Sequence, residues 1–192
     1  MLAQNIHKSY GSKKILCGIS LHIGHNQKAA LVGSNGVGKS TLLKILAGLD
    51  TPDAGEIQFN EDKIGYLPQE IRIDSQETVR NYLKRVTGIS KMESRMAELE
   101  HDLNNPEKMK EYSELQSQYL HLNGYVFDHR IKAILQGFGL SSISITRPLN
   151  SLSGGQKSKV ALAGLLLQKF DLLLLDKLTN NLNPSAIIWL EN

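Results

Sequence analysis

Cysteine is nearly absent. Cys17 is the single one among 192 residues, so no internal disulfide can form and a reducing compartment suits the chain. It sits in the strand-like run KILCGISLHI, which predicts a buried small apolar side chain. Long hydrophobic runs are also missing: the greasiest stretch, ALAGLLLQKFDLLLLD, is broken by Gln168, Lys169 and Asp171. The start MLAQNIHKSYG has no apolar core behind a basic end. No membrane insertion and no secretion signal are expected, and a cytoplasmic location follows. Nor is there an excess of one charge, since 22 Lys and Arg face 19 Asp and Glu for a net +3. That balance permits a polyanionic partner without arguing for one. His22, His25, His101, His121 and His129 share no ligand spacing with cysteines or carboxylates, so no transition-metal site is expected. What remains, 41% hydrophobic and 21% charged, suffices for one globular domain with a sizeable core.

Along the chain, residues 1–60 read as short β-type runs: ISLHIG, QKAALVG and, after the punctuation DTPDAG, GEIQF. Between the last two, Leu42, Leu43, Ile45, Leu46 and Leu49 recur at helical spacing beside Gly48. KIGYLPQE adds a strand that stops at Pro68. From Asp74 the pattern changes to helices. DSQE has the form of a capping box, and Val79, Tyr82, Leu83 and Val86 share a face. Met92, Met96, Leu99 and Leu103 make one stripe, and Tyr112, Leu115, Tyr119 and Leu122 make another, with NNPE interrupting them. This predicts a charged helical hairpin, followed by one more helix carrying Ile131, Ile134, Leu135 and Phe138. The stripes are read as core packing. The last part returns to α/β character, with SLSGGQKSKVALAGLLLQK opening a helix and FDLLLLD a buried strand.

Gly33, Ser34, Asn35, Gly36, Val37, Gly38, Lys39 and Ser40 satisfy the spacing G-x-x-x-x-G-K-S/T. Glycines let the backbone fold around phosphates, so that N–H donors and the start of the next helix face negative charge. Lys39 suits the β and γ phosphates and the Ser40 hydroxyl suits Mg²⁺, with Thr41 beside it. The loop lies between an apolar strand and an amphipathic helix, which is the order a phosphate site requires, and Mg-ATP is the expected ligand. A GTPase is disfavoured because no Asn-Lys-x-Asp motif follows.

With these residues in place, the chain resembles a nucleotide-binding domain of the ABC superfamily. Gln69 in YLPQE matches the Q-loop glutamine, which the resemblance assigns to Mg²⁺ and the attacking water. LSGGQ matches the signature motif, whose Ser153, Gly154, Gly155 and Gln156 are implied to meet the γ phosphate held by an opposing domain. Tyr10 in HKSYG stands where an aromatic stacks on adenine, and LLLLD matches Walker B, its Asp176 supporting the metal. The implied fold is α/β: a P-loop ABC ATPase core with an antiparallel β subdomain and a helical subdomain. The helical subdomain, residues 74–150, carries the hairpin insertion, and one domain spans residues 1–192. Ser153 stands 84 positions after Gln69, and LLLLDKLTNNLN is similar to LLLDEPTNHLD. Both point to the ABC-F group of ribosome-associated ATPases, specifically to its first domain.

The sequence departs from that group at four positions. Lys177 stands where the group has glutamate, Leu178 for proline, Asn181 for histidine and Asn183 for aspartate. A protonated ammonium cannot accept a proton from water, and lost general-base help costs on the order of 10²–10⁴ in rate. ATP binding with impaired hydrolysis is therefore the leading expectation. Only sixteen residues follow Asp176, where the resemblance implies a further strand and a switch histidine. The core sheet is expected to be incomplete on its C-terminal side, with unpaired groups costing about 1–3 kcal/mol each. One phosphate loop and one signature imply a head-to-tail second domain, as a homodimer or a missing second half. Ribosomal RNA is a further candidate partner, though Glu93, Glu98, Glu100, Glu107, Glu111 and Glu114 interleave with the basic residues of the helices. The alternatives are the ATP-binding subunit of a transporter and a non-hydrolysing, nucleotide-dependent interaction module.

Overall fold

β1 (Leu2–Tyr10) and β2 (Lys13–His22) form an antiparallel hairpin that reverses at Gly11, whose φ of 60° favours glycine. β3 (Ala54–Gln58) pairs with the other side of β1, giving the order β2-β1-β3. The computed structural model describes residues 1–59, 63–69 and 76–177. Asn5, at φ 51°, interrupts both ladders of β1, which resume at Ile6 against β2 and at His7 against β3. The polar run AQNIHKSY gave no strand expectation, yet it is the central strand. Pairing on both sides outweighs its weak β propensity. Ala3, Ile6 and Leu16 point inward and are buried, whereas Cys17 alternates outward and is exposed, correcting the expected burial.

α1 (Lys39–Leu46) buries Leu42, Ile45 and Leu46 in one cluster with Ala3, Ile6, Leu16 and Leu174. It closes at Gly48, φ 70°, leaving Leu49 outside the helix and exposed, although its spacing predicted a helical position. β4 (Ile64–Leu67) and β5 (Leu172–Leu175) pair in parallel, with Ile64 opposite Leu172 and Leu67 opposite Leu175. At Gly65 a Cβ would lie 2.9 Å from both Leu173 and Phe170. That close approach explains a glycine inside a strand.

QKAALVG does not form the expected strand. Residues 27–34 are irregular, and among the described residues none of 29–32 makes a main-chain hydrogen bond. Leu31 is 46% and Val32 88% exposed. β propensity without a neighbouring strand does not hold a ladder together.

The chain divides into two compact units. One comprises residues 1–69 and 170–177, and the other, among the described residues, 76–169. In the second, α2 (Val79–Val86) is capped by Thr78, whose hydroxyl accepts from Asn81 N. The capping box expected at DSQE begins at Asp74 and Ser75, which lie outside the described residues, and Glu77 pairs with Arg85. α3 (Ile89–Leu99) packs on α4 (Pro106–His121), which starts with Pro106 behind the Asn105 cap. Arg95 joins the two helices through Glu111. Leu103, in the turn between them, leaves the predicted stripe. α5 (Phe127–Gly137) and α6 (Gly154–Leu166) contribute Ile131, Leu135, Val160 and Leu162 to the buried interior, with Phe138, Leu83 and Leu149.

Candidate functional site

The glycine loop is shaped by backbone sterics. Gly36 at φ 81° and Gly38 at φ 104° occupy the left-handed region, which other residues enter only with strain. A Cβ on Gly38 would also lie 2.8 Å from Ile15 Cγ2. The turn delivers α1 with its first amides bare: the first main-chain bond of the helix runs from Leu42 N to Gly38 O, at 2.9 Å. No side chain caps this end and no acidic residue lies in its first turn. Three outward N–H groups and the positive end of the helix dipole suit an anion. Lys39 folds back to donate to Gly33 O and Ser34 O, both at 2.7 Å. This closes the loop into a ring and leaves the ammonium one further donor. Ser34, Asn35 and Val37 stand exposed around the rim, with Ser40 and Thr41 half-buried.

Tyr10 ends β1 and is 52% exposed. Its hydroxyl donates to Asp50 Oδ2 at 2.6 Å, and Asp50 Oδ1 accepts from Lys8 Nζ at 2.8 Å and from Thr51 N at 2.8 Å. Hydrogen bonds from Lys8 and then Tyr10 bring the Asp50 carboxyl down to about 2. The hydrogen bond to Asp50 likewise pushes both the Lys8 ammonium and the Tyr10 phenol above their ordinary values. Sequence reasoning missed Lys8 and Asp50. The i, i+2 spacing of Lys8 and Tyr10 on one strand face was a usable signal, whereas Asp50 is 40 residues away from Tyr10 and left none.

Asp176 continues β5, its N–H donating to Leu67 O at 3.0 Å, and is buried. Nearby, the Tyr66 hydroxyl is buried with no hydrogen-bond partner among the described residues. Burial, and then the charge of Asp176, raise this phenol above its ordinary value. A buried carboxylate near an orphaned hydroxyl fits a hydrated divalent cation, whose water would give the phenol a partner. Gln69 is exposed at the bend after Pro68. Lys177 follows Asp176 at φ 50°, an uncommon conformation for lysine. Leu178, Asn181 and Asn183 lie outside the described residues.

The signature residues lie in the second unit. Ser153 caps α6: its Oγ accepts from Gln156 N at 3.3 Å, and Gln156 Oε1 accepts from Ser153 N at 2.9 Å. This capping box was not read from the sequence. Gly154 and Gly155 have negative φ and open space where a Cβ would be. Nothing in the packing of the described residues requires glycine at either position.

The chain belongs to the ABC ATPase family, for residues 16–180 match the family model described as ABC transporter. It is 38% identical, over 97% of its length and 36% of the relative's, to the tylosin resistance ATP-binding protein TlrC of Streptomyces fradiae. It is 34% identical, over 98% of its length and 34% of the relative's, to the energy-dependent translational throttle protein EttA of Mycobacterium tuberculosis. The chain therefore spans about a third of the length of these curated relatives. Among solved structures, the ATP-binding subunit of an ABC transporter shares the fold at TM-score 0.70 and 20% identity, covering 97% of this chain and 70% of that one. An archaeal ribosome recycling factor, aABCE1, in complex with the ribosomal stalk protein aP1, matches at TM-score 0.64 and 26% identity. That match covers 97% of this chain and 29% of the solved one. No helix among the described residues is long and apolar enough to cross a membrane.

Proposed function

We propose that this chain is a Mg-ATP-binding domain of the ABC-F type, related to translation factors, in which Lys177 weakens hydrolysis. The observation that carries the binding half is the glycine ring at 33–38 opening onto the uncapped, acid-free start of α1. Main-chain amides and Lys39 would hold the phosphates, Tyr10 the adenine, and Ser40, Gln69 and Asp176 the metal. A bound Mg²⁺ would neutralise phosphate charge and orient the terminal phosphate. Lys177 offers a cation to that charge and no acceptor to the attacking water, so affinity survives while turnover falls.

The glycine pair of the signature supports a second, opposing domain. Glycine in the first turn of α6 costs stability relative to alanine and has no packing use among the described residues. Its value lies in letting another molecule's phosphate come close to the backbone. A head-to-tail pair of such domains supplies that partner. The names of relatives such as EttA support a ribosomal setting over a transporter.

Calorimetric titration with Mg-ATP tests the binding half. The chain should bind, and Lys39→Ala should weaken affinity by tenfold or more. Phosphate release should stay slow, and rapid release by the unmodified chain would remove the impaired-site reading. Co-sedimentation with ribosomes, rather than with membranes, separates the translation assignment from the transporter one.

A further inference from the structure

Lys8 and Asp50 form a part-buried ion pair between the end of β1 and the turn after α1. Lys8 is on the central strand of an antiparallel sheet and is only 8% exposed. An ammonium there is costly unless fully bonded. It is well served: Nζ donates to Asp50 Oδ1 at 2.8 Å and to Thr51 O at 2.6 Å, with Asp53 Oδ1 at 3.9 Å. The loop carrying Asp50 is fixed to the end of β1 by Asp53 N to His7 O at 2.8 Å and by Ser9 N to Asp53 Oδ2 at 2.6 Å. It is also fixed to α1, since Leu49 N donates to Lys44 O at 2.9 Å. Asp50 therefore stands on a rigid base joined to both the strand and the phosphate-loop helix.

The outward oxygen of Asp50 is spent on one group, the Tyr10 hydroxyl. A tyrosine has two rotatable bonds, and an exposed one sweeps over several rotamers. With Cβ held by β1 and the hydroxyl held by Asp50, neither bond is free. The Lys8 ammonium sits over the ring, 5.4 Å from its centroid. The ring's exposed surface is thus left to a flat ligand. A ring ordered in advance binds a base without the cost of being ordered at that moment.

We propose that Asp50, held by Lys8, is a positioning residue that presents the Tyr10 ring to the adenine of ATP. This rests on the reading of Tyr10 as the base-stacking aromatic, and the two can fail separately. Mg-ATP and magnesium tripolyphosphate, titrated calorimetrically into the same protein, separate base binding from phosphate binding. Tyr10→Ala should weaken ATP and spare tripolyphosphate. If it spares both, the stacking reading falls and the role of Asp50 falls with it.

Asp50→Ala and Tyr10→Phe should each weaken ATP about three- to tenfold, the net worth of one such hydrogen bond, while sparing tripolyphosphate. Their combination should add nothing to the larger single effect. Asp50→Asn keeps an acceptor for the phenol and should recover most of the loss. If Tyr10→Ala weakens ATP but Asp50→Ala and Tyr10→Phe do not, the positioning role is overturned and the stacking role stands. Equal loss of ATP and tripolyphosphate in Asp50→Ala would show a merely structural residue and also overturn it.

Discussion

Asp50 carries three hydrogen bonds on two oxygens, from Lys8, Tyr10 and Thr51, and its carboxyl is lowered from 3.8 to about 2. A depressed carboxyl stabilises the folded state fully above its unfolded value, and that contribution disappears as pH falls toward the folded one. The stability difference between the wild type and Asp50→Asn should hold from neutral pH down to about pH 4 and close near pH 2. Urea melts at a series of pH values check this. Lys177 makes a different prediction at the same scale. In the presence of a partner domain, Lys177→Glu should raise phosphate release by about tenfold or more, as general-base help returns. Single-turnover measurement gives the rate. The departure at Lys177 is visible in one dimension because it stands directly beside a strong motif. The Asp50 network was not, because its members meet only once β1 and the turn after α1 are folded together.

Elements whose signal was local matched their sequence best. Pro106 behind Asn105 marks the start of α4, and Pro68 marks the end of β4. The expectation for residues 27–33 failed for a nonlocal reason: a strand is made by its neighbours, and none of the described strands pairs with it. β1 was overlooked for the converse reason, having partners on both sides that its polar residues do not advertise. The start of α6 separates foldedness from function. Gly154→Ala and Gly155→Ala meet no steric obstacle and should each stabilise the chain by about 0.5–1 kcal/mol, while impairing any partner-dependent phosphate release. Denaturant unfolding and phosphate release, measured on the same preparations, should move in opposite directions. Gly55→Ala makes the contrast. At φ 94°, with Asn5 O only 2.3 Å from a new Cβ, it should cost more than about 2 kcal/mol.

At the level of the whole molecule, two compact units share one chain, and nucleotide binding should protect them unequally. A ligand that binds only the folded form raises stability by mass action, so a hundredfold excess over its dissociation constant is worth about 2.7 kcal/mol. The first unit should gain that protection, read as slowed amide exchange across α1 and β1. Residues 29–32, without main-chain partners among the described residues, should exchange quickly before nucleotide is added. The same ribbon, exposed at Leu31 and Val32 and without main-chain partners among the described residues, sets how the protein must be handled. Two molecules meeting at high concentration would find there a ready seam for stitching backbone to backbone. The turbidity of a concentrated stock should therefore fall when Val32, the most solvent-facing apolar side chain of the ribbon, is replaced by lysine.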